Sequence, residues 1–315
     1  MELCEIKSNA KINLSLNITG VRSNLHTLDM IVVSVDLADT IVISKRNDKK
    51  VVIKYWNEKC RVPFLVSTAT NEIDFKRPVG DAESGISIKN CSVTKSINQF
   101  KNKFGFGGIN VEVIKKIPIS AGLGGSGVDA AGALRGLAQM SGIDVDCKEL
   151  KEVASLVGSD VPYLLKGGLA RVRGVGDEVE FFNNSTHKAD FNIVIAKSDG
   201  GVLSKDAYRV FDKIYPSKSF SPSDNDKLLN YLKIGEDSFS ALEYMGNALT
   251  KASIKLDCGI TKTLEMLKLA GAVKTLMTGS GSACVGFFNS EDMAKLATDK
   301  LQKQNHFVYS CRVFL

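Results

Sequence analysis

Hydrophobic and polar positions alternate through the first 45 residues. Along Lys11 to Ile18 the side chains of Ile12, Leu14, Leu16 and Ile18 share one face, with period two. That period predicts a β-strand with one buried face. Gly20 to Asn24 reads as a turn, 30–35 and 40–44 as further short strands, and 51–53 as another. The charged run 45–50 reads as a hairpin tip. Residues 57–84 carry no clear period and read as irregular, and 86–103 has helical spacing weakened by serine and asparagine.

The alternation returns at Ile109, Val111 and Val113 and ends at Pro118. A helix is predicted over 129–140 from Ala130, Ala131, Ala133, Leu134, Leu137 and Ala138, closed by Gly142. A second follows over 148–157. A glycine-punctuated hairpin is expected over 167–179 and a short buried strand over 193–196. Helices near 224–233, 237–254 and 260–270 precede a strand pair about Gly279, a helix over 291–304 and a last strand over 307–314. Hairpins mixed with helices favour an α+β fold over a doubly wound parallel sheet.

At 315 residues, two domains are expected, 1–165 and 166–315. Hydrophobic residues at 44% and charged residues at 24% are ordinary for a soluble globular protein. No apolar run approaches ~20 residues, and Met1 to Glu5 lacks the parts of a signal peptide, so a cytoplasmic protein with no membrane contact is expected. The 7 cysteines stand singly, which argues for reduced thiols, and the 3 histidines make no metal pattern. A net charge of +6 suits an anionic ligand, but no basic stripe or aromatic platform points to nucleic acid. Whether the chain is a monomer or a homodimer is left open.

Between the strand ending at Lys116 and the helix lies Pro118-Ile119-Ser120-Ala121-Gly122-Leu123-Gly124-Gly125-Ser126-Gly127. A surface turn is the ordinary meaning of such a run. Here the glycines sit at a strand-to-helix junction, where exposed backbone N–H groups and a helix N-terminus make a cradle for phosphate. It is neither a Walker A loop, since no Gly-Lys dipeptide occurs in the chain, nor a dinucleotide fingerprint.

Three further segments keep the loop company: Asn9-Ala10-Lys11-Ile12-Asn13-Leu14 with His26-Thr27-Leu28 after it, Gly158-Ser159-Asp160-Val161-Pro162-Tyr163, and Thr278-Gly279-Ser280-Gly281-Ser282. Together these resemble the galactokinase, homoserine kinase, mevalonate kinase and phosphomevalonate kinase (GHMP) superfamily, most of all its 4-diphosphocytidyl-2-C-methyl-D-erythritol kinase branch. Gly201-Val202 through Tyr208 is similar to a further segment of that branch. The resemblance implies an N-terminal domain with a mixed or antiparallel sheet, a ferredoxin-like C-terminal α+β domain, and an ATP-dependent kinase acting on the hydroxyl of a small molecule with Mg²⁺.

Residue by residue, the resemblance implies that Pro118, Ser120, Ala121, Gly122, Leu123, Gly124, Gly125, Ser126 and Gly127 bind ATP. It makes Asp160 the acceptor of the hydroxyl proton and Lys11 the cation that holds Asp160 ionised and neutralises the transferred phosphoryl group. Taken singly, a cap before Pro162 and a solvated strand lysine are the ordinary roles of these two. Asn13, His26, Phe191, Gly279 and Ser280 fall at substrate positions. His26 would read a cytosine edge by donating and accepting at once. Phe191 falls where the branch places a cytosine-stacking aromatic, although its own surroundings favour the core. For Asn13 and the Gly279–Ser280 turn the alternatives are an asparagine bonding its own backbone and a plain strand-entry turn.

The chain departs from the pattern at three places. Gly127-Val128-Asp129 stands for Ser-Ser-Asn, leaving Ser126 and Asp129 as the polar groups beside Mg²⁺. Ser23-Asn24-Leu25 stands for Asp-Gly-Tyr before His26, and Asn247-Ala248-Leu249-Thr250 blurs an Asn-Asp-Leu/Phe-Glu segment. Another kinase of the superfamily, acting on a mevalonate- or homoserine-type alcohol, and a non-catalytic nucleotide-binding homologue stay open.

Overall fold

The computed structural model describes residues 3–57, 63–68, 91–182, 191–234, 239–303 and 307–314. Cys60, His187, His306 and the stretch 69–90 lie outside the described residues. The chain forms two compact units, one of Met1–Asn9, Ala38–Ile117 and Gly125–Lys166, the other of Ala10–Leu37, Pro118–Gly124 and Gly167–Leu315. Two consecutive domains divided at 165 were expected; instead the chain passes between the units several times. It does so because its first two strands are long. β1 (Leu3–Arg22) and β2 (Leu25–Arg46) each contribute to both units. They are joined at Ser23 and Asn24, both at positive φ, 51° and 64°. That is the backbone of a two-residue hairpin turn, and asparagine tolerates it.

In the first unit, residues 40–46 of β2 pair antiparallel with β5 (Gly108–Lys115). β5 pairs parallel with β3 (Val51–Asn57), which pairs antiparallel with β4 (Pro63–Thr68). Because β5 lies between β2 and β3, residues 47–50 form a crossover turn and not the expected hairpin tip. β4 also falls inside the stretch read as irregular. Among the described residues this unit has four helices: α1 (Ser92–Phe104), α2 (Gly125–Ser141), α3 (Lys148–Val157) and α4 (Val161–Lys166). A helix as rich in small residues as α2 can sit close to a sheet. At Gly132 a Cβ would come within 2.6 Å of Ile41 Cγ1. Ala130, Ala131, Ala133, Leu134, Leu137 and Ala138 are buried, as the periodicity predicts.

The second unit is built on β8 (Asn192–Lys197), β10 (Lys274–Met277), β11 (Cys284–Phe288) and β12 (Phe307–Phe314). Their antiparallel order is β10-β11-β8-β12, and β12 continues onto the first half of β2. With α8 (Gly259–Leu269) before β10 and α9 (Glu291–Gln302) before β12, this is the βαββαβ order of the expected ferredoxin-like domain. β6 (Ala170–Gly174) and β7 (Glu178–Phe181) make the expected hairpin, with β6 paired to β2. α5 (Ser204–Ile214) and α6 (Asn225–Ile234) follow β8. The single helix expected over 237–254 is broken into a 3₁₀ turn at Ser240–Tyr244, the short strand β9 (Gly246–Asn247) and α7 (Thr250–Leu256).

Candidate active site

An alternating strand ordinarily shows its polar face to water, but β1 is buried on both faces from Ala10 to Ile18. Lys11 is 5% exposed and Asn13 1%. Polar groups buried this way must be hydrogen-bonded. Lys11 Nζ donates to Asn13 Oδ1 at 2.8 Å, and Asn13 Nδ2 approaches Met30 Sδ at 3.3 Å. Ser15 Oγ accepts from Ile31 N, and Asn17 exchanges hydrogen bonds with the Ser223 backbone. An ammonium held this deeply is costly, which weighs against Lys11 as a solvated strand residue and for a role in chemistry.

In the second unit β1 touches both glycine-rich turns. Lys11 N donates to Leu123 O at 3.2 Å, and Asn13 N donates to Thr278 Oγ1 at 2.9 Å. The turns meet each other as well. Ser282 N and Ala283 N donate to Ser120 O and Ala121 O, at 3.3 and 3.1 Å. Gly122 and Gly279 have φ of 75° and 55°, and neither has room for a side chain. The structure thus brings Lys11, Asn13, Ser120, Ala121, Gly122, Leu123, Gly279 and Ser280 into one cluster from three distant stretches of sequence.

Asn247, only noted in the sequence as part of a blurred segment, clamps the second turn. Its Nδ2 donates to Met277 O and Gly279 O, both at 2.8 Å, and its Oδ1 accepts from Leu249 N. Ser253 Oγ donates to Ser280 O, while Ser204 Oγ and Ser280 Oγ lie 3.0 Å apart.

Ser204 opens α5, and one turn along that helix Tyr208 stacks on His26, with ring centroids 4.7 Å apart. His26 Nε2 lies 2.7 Å from Asp212 Oδ1, and Phe211 meets the ring edge-on. With Nε2 beside this carboxylate, Nδ1 is the ring nitrogen left to meet a ligand. Leu25 is 59% exposed. Phe191 is 1% exposed and packs edge-to-face on Phe287 at 5.5 Å, so it is a core residue with no face left for a base. Tyr208 is the aromatic that lies against His26. The Gly201 to Tyr208 resemblance was the signal that could have found it.

In the first unit Asp160 caps the start of α4, its carbonyl accepting from Leu164 N at 3.0 Å. A Cβ on Gly127 would lie 3.0 Å from Leu164 Cδ1 and 3.5 Å from Asp160 Cβ, so the first turn of α2 rests on the Asp160 turn. Ser126 is exposed there, and Gly124–Gly125 is the point where the chain passes between units. Asp129 faces away from solvent, 4% exposed, and pairs with Lys115 Nζ at 2.8 Å. Lys115 also bonds Asp39, whose other oxygen accepts from Lys116 N and Ile117 N. Burial, followed by the opposing pull of Lys115 and the push of Asp39, moves the Asp129 carboxyl up to about 8. Asp129 is therefore an inward hydrogen-bond partner of Lys115 and not an exposed group of the kind the sequence left beside Mg²⁺. Among the described residues no group of three or more His, Cys, Asp or Glu side chains is placed to hold a metal ion.

A cradle of two interlocked glycine turns, with a buried lysine beside it, is the architecture of a GHMP kinase. Residues 92–168 match the GHMP kinases N terminal domain and 231–306 the GHMP kinases C terminal domain. The chain is 31% identical over 309 residues to 4-diphosphocytidyl-2-C-methyl-D-erythritol kinase of Clostridium beijerinckii, covering 98% of this chain and 99% of that one. It is 30% identical to the enzyme of the same name from Clostridium tetani, covering 97% and 98%. A solved structure of 4-(cytidine 5'-diphospho)-2C-methyl-D-erythritol kinase superposes with a TM-score of 0.73 at 22% identity, over 99% of this chain and all of that one. The chain belongs to the 4-diphosphocytidyl-2-C-methyl-D-erythritol kinase family of GHMP kinases, and is an ATP-dependent small-molecule kinase.

Proposed function

We propose that this kinase transfers the γ-phosphoryl group of ATP to the free hydroxyl of 4-diphosphocytidyl-2-C-methyl-D-erythritol, a step of non-mevalonate isoprenoid synthesis. The observation that carries the reading is the clamping of Lys11 and Asn13 between the two glycine turns, one turn of α5 away from the His26–Tyr208 stack. The first feature suits a phosphorylated alcohol and the second a planar base. The names of the relatives supply the substrate that joins them.

Pro118 to Gly127 holds the triphosphate through backbone N–H groups. Asp160 takes the proton from the substrate hydroxyl. The hydroxyl oxygen then bonds to the γ-phosphorus, the bond from that phosphorus to the β,γ-bridging oxygen breaks, and ADP leaves. Lys11 offsets charge on the transferred group, and Asn13 orients the hydroxyl. Gly279 and Ser280 border the substrate diphosphate. His26 Nδ1 accepts from the amino group of the base, and the base lies beside Tyr208. Mg²⁺ bound with the nucleotide phosphates would supply charge neutralisation there. Residues 1–165 carry the nucleotide loop, the catalytic pair, Asn13 and His26, and residues 166–315 add Tyr208, Gly279 and Ser280 on the substrate side. The protein works in the cytoplasm on a small molecule, without nucleic acid or membrane, as a monomer or homodimer. Among the described residues no helix is long and apolar enough to cross a membrane.

The test is substrate-dependent ADP release by purified protein given ATP, Mg²⁺ and 4-diphosphocytidyl-2-C-methyl-D-erythritol. Turnover of mevalonate or homoserine with none of the cytidyl substrate overturns the specific assignment and leaves the kinase. That outcome is what the exposed Leu25 would favour. ATP binding without turnover of any alcohol would favour a nucleotide sensor.

A further inference from the structure

The residues that flank the glycine loop are tied together by charge. Lys115 precedes the loop on β5 and Asp129 follows it on α2, and one ammonium reaches both Asp129 and Asp39. Asp39 in turn accepts from the two backbone N–H groups that lead into Pro118, at 2.6 and 2.8 Å. α2 is also tied to β1, where Ser8 Oγ donates to Val128 O at 2.7 Å. The loop therefore leaves and re-enters the first unit through a neck closed by an Asp–Lys–Asp cluster. None of these contacts touches the catalytic pair, and the Asn of the family pattern would not supply the second carboxylate.

The cluster does not balance. Two carboxylates face one ammonium, and Asp39 is fully buried while Asp129 is nearly so. Asp129 Oδ1 is buried with no hydrogen-bond partner. An oxygen left bare in the interior costs more as part of an anion than of a neutral acid. Among the described residues the buried Tyr55 of β3 also feels the charge of Asp129 and Asp39, and its Oη donates to Cys91 Sγ ahead of α1 at 3.6 Å. Burial, followed by the neighbouring Cys91, Asp129 and Asp39, holds the Tyr55 hydroxyl far above its ordinary range, so it stays neutral and adds no further negative charge.

We propose that the Asp39–Lys115–Asp129 cluster is a positioning device for the glycine loop, drawing its ends together and, by taking a proton at Asp129, setting the charge at its neck and so its affinity for a polyphosphate. The inference rests on the reading that the loop holds the phosphates of ATP. Loss of that proton adds one negative charge where a polyanion must bind, and by linkage a bound polyanion favours the protonated cluster.

The experiment is calorimetric titration of MgATP into the full-length protein from pH 7 to 9.5, for the wild type and Asp129→Asn, which keeps the shape and an acceptor for Lys115. The wild-type dissociation constant is expected to rise on the order of threefold or more across that range, while that of Asp129→Asn stays level. Parallel curves for the two proteins overturn the proposal. Gly124→Val separates this from the underlying reading: if that variant binds MgATP as the wild type does, the loop is not the phosphate site and both ideas fall. A carboxyl NMR titration of the wild type needs no variant. It should show one aspartate titrating in the alkaline range with a midpoint raised by MgATP, and no such aspartate would overturn the proposal.

Discussion

Gly122 and Gly279 are pressed backbone to backbone. A Cβ on Gly122 would lie 2.2 Å from Thr278 O, and one on Gly279 would lie 2.4 Å from Gly122 O. These two residues stand in separate glycine-rich turns far apart in the sequence, and each supplies the space the other needs. The contact locks the loop read as an ATP cradle to the turn read as a substrate neighbour. Phosphoryl transfer depends mostly on holding donor and acceptor in place, so this lock is where packing becomes chemistry.

Gly122→Ala puts a methyl group into a backbone carbonyl and a side chain at φ of 75°. About 2–4 kcal/mol of destabilisation is expected, read as a drop in Tm and in the denaturant midpoint. Gly142→Ala also sits at positive φ, 66°, but a Cβ there meets nothing within 4 Å. It should cost only about 1 kcal/mol and leave turnover unchanged. Equal losses in the two variants would show that the lock carries no energy.

Asp160→Ala should lower turnover by about 10²–10⁴-fold, the range for loss of a general base, and leave the dissociation constant for ATP within a fewfold of wild type. Lys11→Met should likewise act on kcat. It also removes a donor to Asn13 Oδ1, so it should cost about 1 kcal/mol of stability that Asp160→Ala does not. Full activity in Asp160→Ala would remove that residue from the mechanism.

Much of this was legible in the sequence because it is local. The small-residue run of α2 and the glycine clusters follow from near-neighbour pattern, while the ferredoxin-like order of the second half came with the family resemblance. Where the pattern failed, a tertiary neighbour had decided the matter. Lys11 and Asn13 occupy the polar phase of an alternating strand, and that phase is buried because β1 is covered on both faces. Period alone does not distinguish this from a solvated face. Residues 237–254 read as one helix, but Gly246–Asn247 pairs with Ser15–Leu16 and breaks it. The family pattern drew attention to Asp129 as a polar group near Mg²⁺, and only its Lys115 partner shows that it points inward.

Phe191 lies in the core, as its own surroundings suggested, and paired variants test whether Tyr208 is the aromatic that meets the base. Tyr208→Ala should raise KM for the cytidyl substrate about fivefold, the worth of ~1 kcal/mol of aromatic contact, with little change in KM for ATP. Phe191→Ala should instead cost about 3–5 kcal/mol of stability by opening a cavity beside Phe287, with no selective effect on either KM. A substrate-specific rise in KM from Phe191→Ala in a stably folded protein would reverse the assignment.

Asn247 holds the second turn with two donors from one amide, and the chemistry of that amide makes the prediction sharp. Asn247→Asp preserves size and the acceptor for Leu249 N, but it replaces the Nδ2 donors with an oxygen aimed at Met277 O and Gly279 O. Two carbonyls lose their donor and face a third acceptor in a buried place, at a cost of about 2–4 kcal/mol. The aspartate relieves this by taking a proton, which lets it donate to one carbonyl. Its folded-state carboxyl is then raised above the unfolded value. Stability is retained at low pH and lost as pH rises through the folded value. The Tm deficit of Asn247→Asp against the wild type should therefore be smaller at pH 5 than at pH 8, whereas Asn247→Ala should show the same deficit at both. A deficit independent of pH in Asn247→Asp would mean that the turn relaxes around the substitution and does not depend on the amide.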